Sequence, residues 1–351
     1  MSSSSDEENA GNFFLGMILE TAKIVAEMEE DGEDEETSQP RTRVAALNRD
    51  REGAYERLAG DYFSKNYVYT NEQFGCRFQM SRQLFVRIAN DLANYDDFFT
   101  LRYDGRGRRG FTTFQKCTSP LCQLAYGTAS DSWNESLTMS ERMSWGCLYE
   151  FFKGIVNLYR KVYLRRPTKK DIGKLYTFHE ETHGFPGMLG SIDCTHWQWC
   201  NCPVAWCDQY MSGDIGYPSI ILEAACSQDL WIWHALFGVV GSNNDLNLLT
   251  RSHVFDDIDS SFMLNGVSYK HGYYLADDTY PSYTAMVKTI PELSDEKRKK
   301  MFAKWQELAR RDVERLFDVI KAKWGIIQQP AHAFEPKKVR YIMYACLILQ
   351  T

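Results

Sequence analysis

Four acidic residues stand where carboxylates are expensive. Asp193 lies inside a run of apolar and small residues, MLGSIDC, and Asp277 ends the apolar run YYLA. Asp245 follows the turn sequence GSNN, and Glu314 sits mid-helix among Val313, Leu316, Phe317 and Ile320. A carboxylate within or at the end of a buried strand costs free energy unless it is paired or bound to a cation. Several carboxylates converging on one point repel one another and raise their pKa values, a cost that a divalent cation relieves. Mg²⁺ takes a few carboxylates together with waters and phosphate oxygens. Two such ions about 3.5–4 Å apart activate a water or hydroxyl nucleophile and stabilise the leaving oxygen of a phosphodiester. Read singly, each acid is also a plausible helix cap or solvated strand end, Asp245 being the most cap-like.

Other motifs compete for attention. HEETH at 179–183 matches the H-E-x-x-H of zinc proteases, in which two His share a helix face and the Glu activates water. Here Gly184, Phe185 and Pro186 break the helix directly after the second His, so a polar helix end is the expectation. Cys194, Cys200, Cys202 and Cys207 are spaced C-x₅-C-x-C-x₄-C, unlike the paired spacing of zinc sites, and ordinary thiols are expected. His196, three residues after Asp193, is a candidate supporting residue beside the acids. Candidate phosphate contacts are Arg106, Arg108, Arg109, Arg165, Arg166, Lys169 and Lys170, which lie in two locally basic segments, and Arg310, Arg311 and Arg315 around Glu314. A solvated face with i,i+4 ion pairs is the alternative for the last three.

The elements that must position these residues divide the chain into three. Residues 1–48 are acidic and predict a mostly disordered tail, with a short amphipathic helix over 13–28. Residues 49–184 are helical in pattern: 50–63, 81–94 with Ser81 as N-cap, 112–127 and 129–163. The stretch 138–159 suits either the second half of a helix-turn-helix or a bundle helix. From 185 the texture changes to β-formers in three successive runs around residues 188–199, 217–229 and 230–241, then a short helix, a strand at YYLADD, a long helix over 294–324 and a last one over 336–349. Strands with interleaved helices predict a mixed α/β domain over 185–351.

The net charge of −7 conceals an uneven distribution, because the first forty residues carry twelve acids and one Lys, leaving a mildly basic remainder. A nucleic-acid partner is therefore compatible with the acidic total. No run of 18 uncharged apolar residues is present, so no membrane-spanning helix is expected. The acidic start lacks the basic region of a signal peptide, which predicts an intracellular protein with reduced cysteines.

The order strand–strand–strand–helix–strand–helix would put the first acid on a central strand, another on the strand beside it and the last on a helix across both, the layout of a ribonuclease-H-like nuclease. The sequences GMLGSIDCTHWQWCNCPVAW, YPSIILEAACSQDLWIWHALFGVVGSNNDLNLL, YYLADDTYP and ARRDVERLFDVIKAKWGII resemble PIF/Harbinger transposases of the plant-transposon type. The resemblance runs from about Asp50 to the C-terminus. It implies a ribonuclease-H-like DDE nuclease core behind an α-helical N-terminal domain, with Mg²⁺- or Mn²⁺-dependent cleavage and strand transfer on DNA. It maps the acids onto Asp193, Asp277 and Glu314 as catalytic metal ligands. Either Asp245 or Asp277 can be the middle Asp; topology favours Asp277 and leaves Asp245 as a further or alternative ligand. It also implies a nuclear site of action, DNA as substrate, a Myb-like partner protein and a homo-oligomer. Two departures point the other way, to a domesticated, catalytically silent DNA- or chromatin-binding protein: Asp278 stands where the family has Gly, and the chain stops at ACLILQT, where relatives continue.

Overall fold

The computed structural model describes residues 49–351 apart from 212, 214, 241–253, 255–259, 278, 279, 281–284 and 289–296. The tail at 1–48 with its expected helix, and both Asp245 and Asp278, lie outside the described residues.

Short polar caps set where the first helices begin. They are α1 (Arg51–Tyr62), α2 (Asn71–Phe78), α3 (Arg82–Tyr95), α4 (Thr113–Tyr126) and α5 (Glu141–Tyr163). Ser81 accepts the Leu84 N–H, as its position before an apolar periodic run predicts. Thr70 with Gln73 and Thr112 with Gln115 form reciprocal capping boxes. Helix α6 (Lys169–His183) opens on a third, Thr168 with Asp171, and Gly184 closes it in a left-handed conformation. Within the expected helical stretch over 129–163, Ser140 accepts the Met143 N–H and starts α5. A buried polar network then ties α4 to α5: the Ser119 and Ser144 hydroxyls lie 2.7 Å apart, and Gln123 donates to Ser144.

The sheet begins with β1 (Met188–Gln198), β2 (Ser219–Cys226) and β3 (Ile232–Val240), with a short helix α7 (Val204–Tyr210) between the first two. A hairpin of β4 (Phe262–Leu264) and β5 (Val267–Tyr269) follows, then β6 (Tyr273–Ala276) and β7 (Met286–Lys288). Among the described residues the main sheet has five strands in the order β3-β2-β1-β6-β7. β1, β2 and β3 pair antiparallel, whereas β6 runs parallel to β1 and β7 parallel to β6. Gly190 sits at the irregularity in β1 with φ +152°, and a Cβ there would lie 2.2 Å from the Cys226 carbonyl oxygen. Only glycine permits so close an approach of β2's end at that point.

The long helix α8 (Lys297–Lys323) lies across the sheet, burying Gln306, Ala309, Val313, Leu316, Phe317 and Ile320. The last helix, α9 (Pro336–Gln350), is buried over most of its length. One apolar cluster joins Phe74, Phe85 and Phe151 from the early helices to Trp199 and Leu222 of the sheet segment and to Val313, Trp324 and Leu347. Residues 49–351 accordingly form one compact unit.

Candidate active site

Strand alternation fixes where Asp193 points. In β1, Ser191 and Asp193 share a face, and Ser191 accepts a hydrogen bond from the Val313 N–H of α8 at 3.1 Å. Asp193 therefore faces the helix that carries Glu314. The parallel register pairs Ser191 with Leu275. Asp277 directly follows the last residue of β6, and its negative charge acts on Asp193. Gln306 fixes the other side of this junction: its Nε2 donates to the carbonyl oxygens of Ala276, at 3.2 Å, and Val287, at 3.3 Å.

A cation lies among the acids. The Arg310 guanidinium donates through Nη1 to Asp193 Oδ2 at 3.2 Å and through Nη2 to Glu314 Oε1 at 2.7 Å. The side chains of Asp193 and Arg310 are largely sheltered, at 21% and 15% exposure, while that of Glu314 is 45% exposed. Burial pushes the Asp193 pKa above the ordinary carboxylate value. The Cys194 N–H and Arg310 oppose that rise, and the negative charges of Asp277 and Glu314 reinforce it. Asp193, Asp277 and Glu314 are thus electrostatically one group, drawn from β1, the end of β6, and α8.

As a metal site the group has the right chemistry, since oxygen donors suit a hard divalent cation. Its geometry is closed around Arg310, and no three His, Cys, Asp or Glu side chains stand in a metal-holding arrangement among the described residues. Asp193 and Glu314 share Arg310 as their cation in this arrangement.

The other sequence candidates are placed elsewhere. His196 falls on the opposite face of β1 from Asp193, where its Nδ1 lies 2.9 Å from the Ser219 hydroxyl. Arg165 donates to Asp171 at 2.7 Å and lies over the rings of Trp231 and Trp233. Arg108 pairs with Asp104, and Arg109 with Glu52. Arg315 donates to the Gln228 carbonyl and pairs with Asp312. Arg106, Arg166, Lys169, Lys170 and Arg311 are exposed. The two His of HEETH stack on one face of α6 with Nδ1 atoms 3.2 Å apart. Cys194 lies against the Tyr280 hydroxyl at 2.9 Å, and burial raises the Cys202 thiol to about 11.

Sequence reasoning passed over Ser191 and Gln306, which lock α8 onto β1 and β6. Their signal was a polar residue at a position where periodicity demands an apolar one. It also passed over the exposed run Lys297, Arg298, Lys299 and Lys300 at the start of α8 as described.

No curated protein and no solved structure matches the chain. Residues 55–93, within α1 to α3, match a domain of unknown function, DUF8418. Residues 161–351, more than half of the chain and all of the sheet with α8 and α9, match the plant transposon protein family. That match contains all three converging acids, and the chain belongs to the plant transposon protein family.

Proposed function

We propose that this chain is a DDE-type transposase or transposase-derived endonuclease with a ribonuclease-H-like core, cutting DNA phosphodiesters with Mg²⁺ or Mn²⁺. The observation that carries the reading is that the charges of Asp277, just after β6, and of Glu314 on α8 both act on the sheltered Asp193 of β1. Three antiparallel strands followed by two parallel ones on the free side of β1 support the ribonuclease-H-like reading. Membership of a transposon family supports DNA as the substrate.

The chain's own residues define the work. β1 carries the first carboxylate, Asp277 follows β6, and α8 carries Glu314. Asp245 serves as a further ligand. Exposed cations, among them Arg106, Arg166, Lys169, Lys170 and Arg311, hold backbone phosphates. When bound, divalent ions supply Lewis acidity to the phosphate and acidify the attacking water. In hydrolysis the water oxygen bonds to phosphorus and the bond to the departing 3′ oxygen breaks. The water's proton passes to solvent, and the leaving oxygen takes one up. In strand transfer a DNA 3′-hydroxyl replaces water. The expected site of action is nuclear, with a Myb-like partner supplying sequence recognition.

The test is nicking of supercoiled plasmid by the full chain with and without Mg²⁺ or Mn²⁺, beside Glu314→Gln and Asp193→Asn. Metal-dependent nicking that falls at least 100-fold in both variants supports the reading, since each removes one carboxylate from the group. Cleavage retained by either variant overturns the assignment of that acid. Salt-sensitive, EDTA-insensitive DNA binding without nicking favours a catalytically silent binding protein.

A further inference from the structure

We infer that Arg310 is a built-in counter-ion of the acid group, holding Asp193 and Glu314 together in the absence of metal and competing with metal for them. The inference rests on the proposed role of these acids as metal ligands.

The geometry is specific. Arg310 and Glu314 stand one helical turn apart on α8, where i,i+4 side chains are neighbours. The planar guanidinium spans from Glu314 on the helix to Asp193 on β1, one nitrogen to each carboxylate. A fork of this kind is an arginine property; a lysine ammonium is a point charge that cannot match both partners in the same way. Asp193 is sheltered and faces two further negative charges. Without a cation, the charges of Asp277 and Glu314 act unopposed on Asp193. The one positive charge that Arg310 brings leaves the group net negative. A divalent ion is therefore still attracted, and it has to displace the Nη1 contact to reach Asp193 Oδ2. The displaced guanidinium, tethered one turn away, also continues to repel the ion.

Both effects act in one direction: removing Arg310 should tighten metal binding while loosening the metal-free protein. The experiment is Mn²⁺ titration of the full chain by calorimetry or spin resonance, with thermal unfolding of the same samples. Arg310→Gln should bind Mn²⁺ about tenfold more tightly than wild type, equivalent to about 1.4 kcal/mol. Its metal-free melting temperature should fall, and its upward shift on adding Mn²⁺ should exceed that of wild type. Arg310→Lys should lie between the two, and decides the question if the Gln variant fails to fold. Asp193→Asn separates the two layers of the argument. If it weakens Mn²⁺ binding while Arg310→Gln leaves it equal or weaker, the counter-ion inference falls and the acid site stands. If wild type and Asp193→Asn bind Mn²⁺ alike, the metal-site reading falls and takes the inference with it.

Discussion

Replacing Gln306 tests whether α8 is clamped to the strand ends as described. Its side chain is fully buried, and its amide nitrogen donates to the carbonyls of Ala276 and Val287 at 3.2 and 3.3 Å. Its Oε1 makes no hydrogen bond among the described residues. Each neutral bond contributes roughly 1 kcal/mol net, so the pair contributes about 2 kcal/mol. Gln306→Met keeps the volume, loses both bonds and removes the partnerless oxygen, which offsets about half the loss; it should cost about 1 kcal/mol. Gln306→Glu keeps the shape but sets an oxygen against two carbonyl oxygens. The buried acid must then stay protonated at pH 7. Taking its unfolded pKa as about 4.3, that costs roughly 3 kcal/mol or more. The sign follows from the raised folded pKa: the penalty is present above the unfolded value and disappears as pH falls below it. Urea unfolding at pH 7 and pH 4 measures both variants. The Glu variant should lose about 3 kcal/mol relative to wild type at pH 7 and recover most of it at pH 4. A Glu variant within about 0.5 kcal/mol of wild type at pH 7, an ordinary surface value, would refute the clamp.

Gly190→Ala should cost about 3 kcal/mol or more in thermal unfolding, because its Cβ would meet the Cys226 carbonyl at a positive φ. Gly173→Ala, at an exposed position in α6 where a Cβ meets nothing within 4 Å, should instead stabilise by roughly 0.5–1 kcal/mol. His179 is fully buried, and burial lowers its pKa to about 4, with a smaller push from His183 and an opposing pull from Asp229. Its unfolded form takes up a proton near pH 6.5, so stability falls as pH drops from about 6.5 to 4, by on the order of 3 kcal/mol. Chemical denaturation across that range should show the slope in wild type and a flatter one in His179→Gln.

Much of the scaffold was legible because local rules and tertiary demands agree. Ser81 before an apolar periodic run does cap α3, and the β-former runs around 188–199, 217–229 and 230–241 hold β1, β2 and β3. The β4–β5 hairpin was missed although its signal was present. Asn265 and Gly266 both have positive φ between β-formers, the preference of a tight two-residue turn. Helix α2 was missed because only Thr70 and Gln73 announce it over eight residues. Strand β7 was missed because three residues carry no period. Asp193 was legible as a carboxylate within an apolar strand, whereas Glu314, read among apolar neighbours, stands on the exposed side of α8. What periodicity could not supply was the rotamer of Arg310. The sequence offers it equally to solvent, to phosphate or to Glu314, and only the approach of α8 to β1 adds Asp193 as its second partner.

The central claim is that Asp193, Asp277 and Glu314 hold one metal-binding group. Iron-directed self-cleavage tests it most directly. Fe²⁺ replaces Mg²⁺, and ascorbate with peroxide generates hydroxyl radicals that cut the backbone beside the bound ion. Fragment mapping should place the cuts around Asp193, Asp277 and Glu314, suppressed by excess Mg²⁺ and by Asp193→Asn. Cuts centred on His179 and His183, or an undirected pattern insensitive to Mg²⁺, would contradict the account.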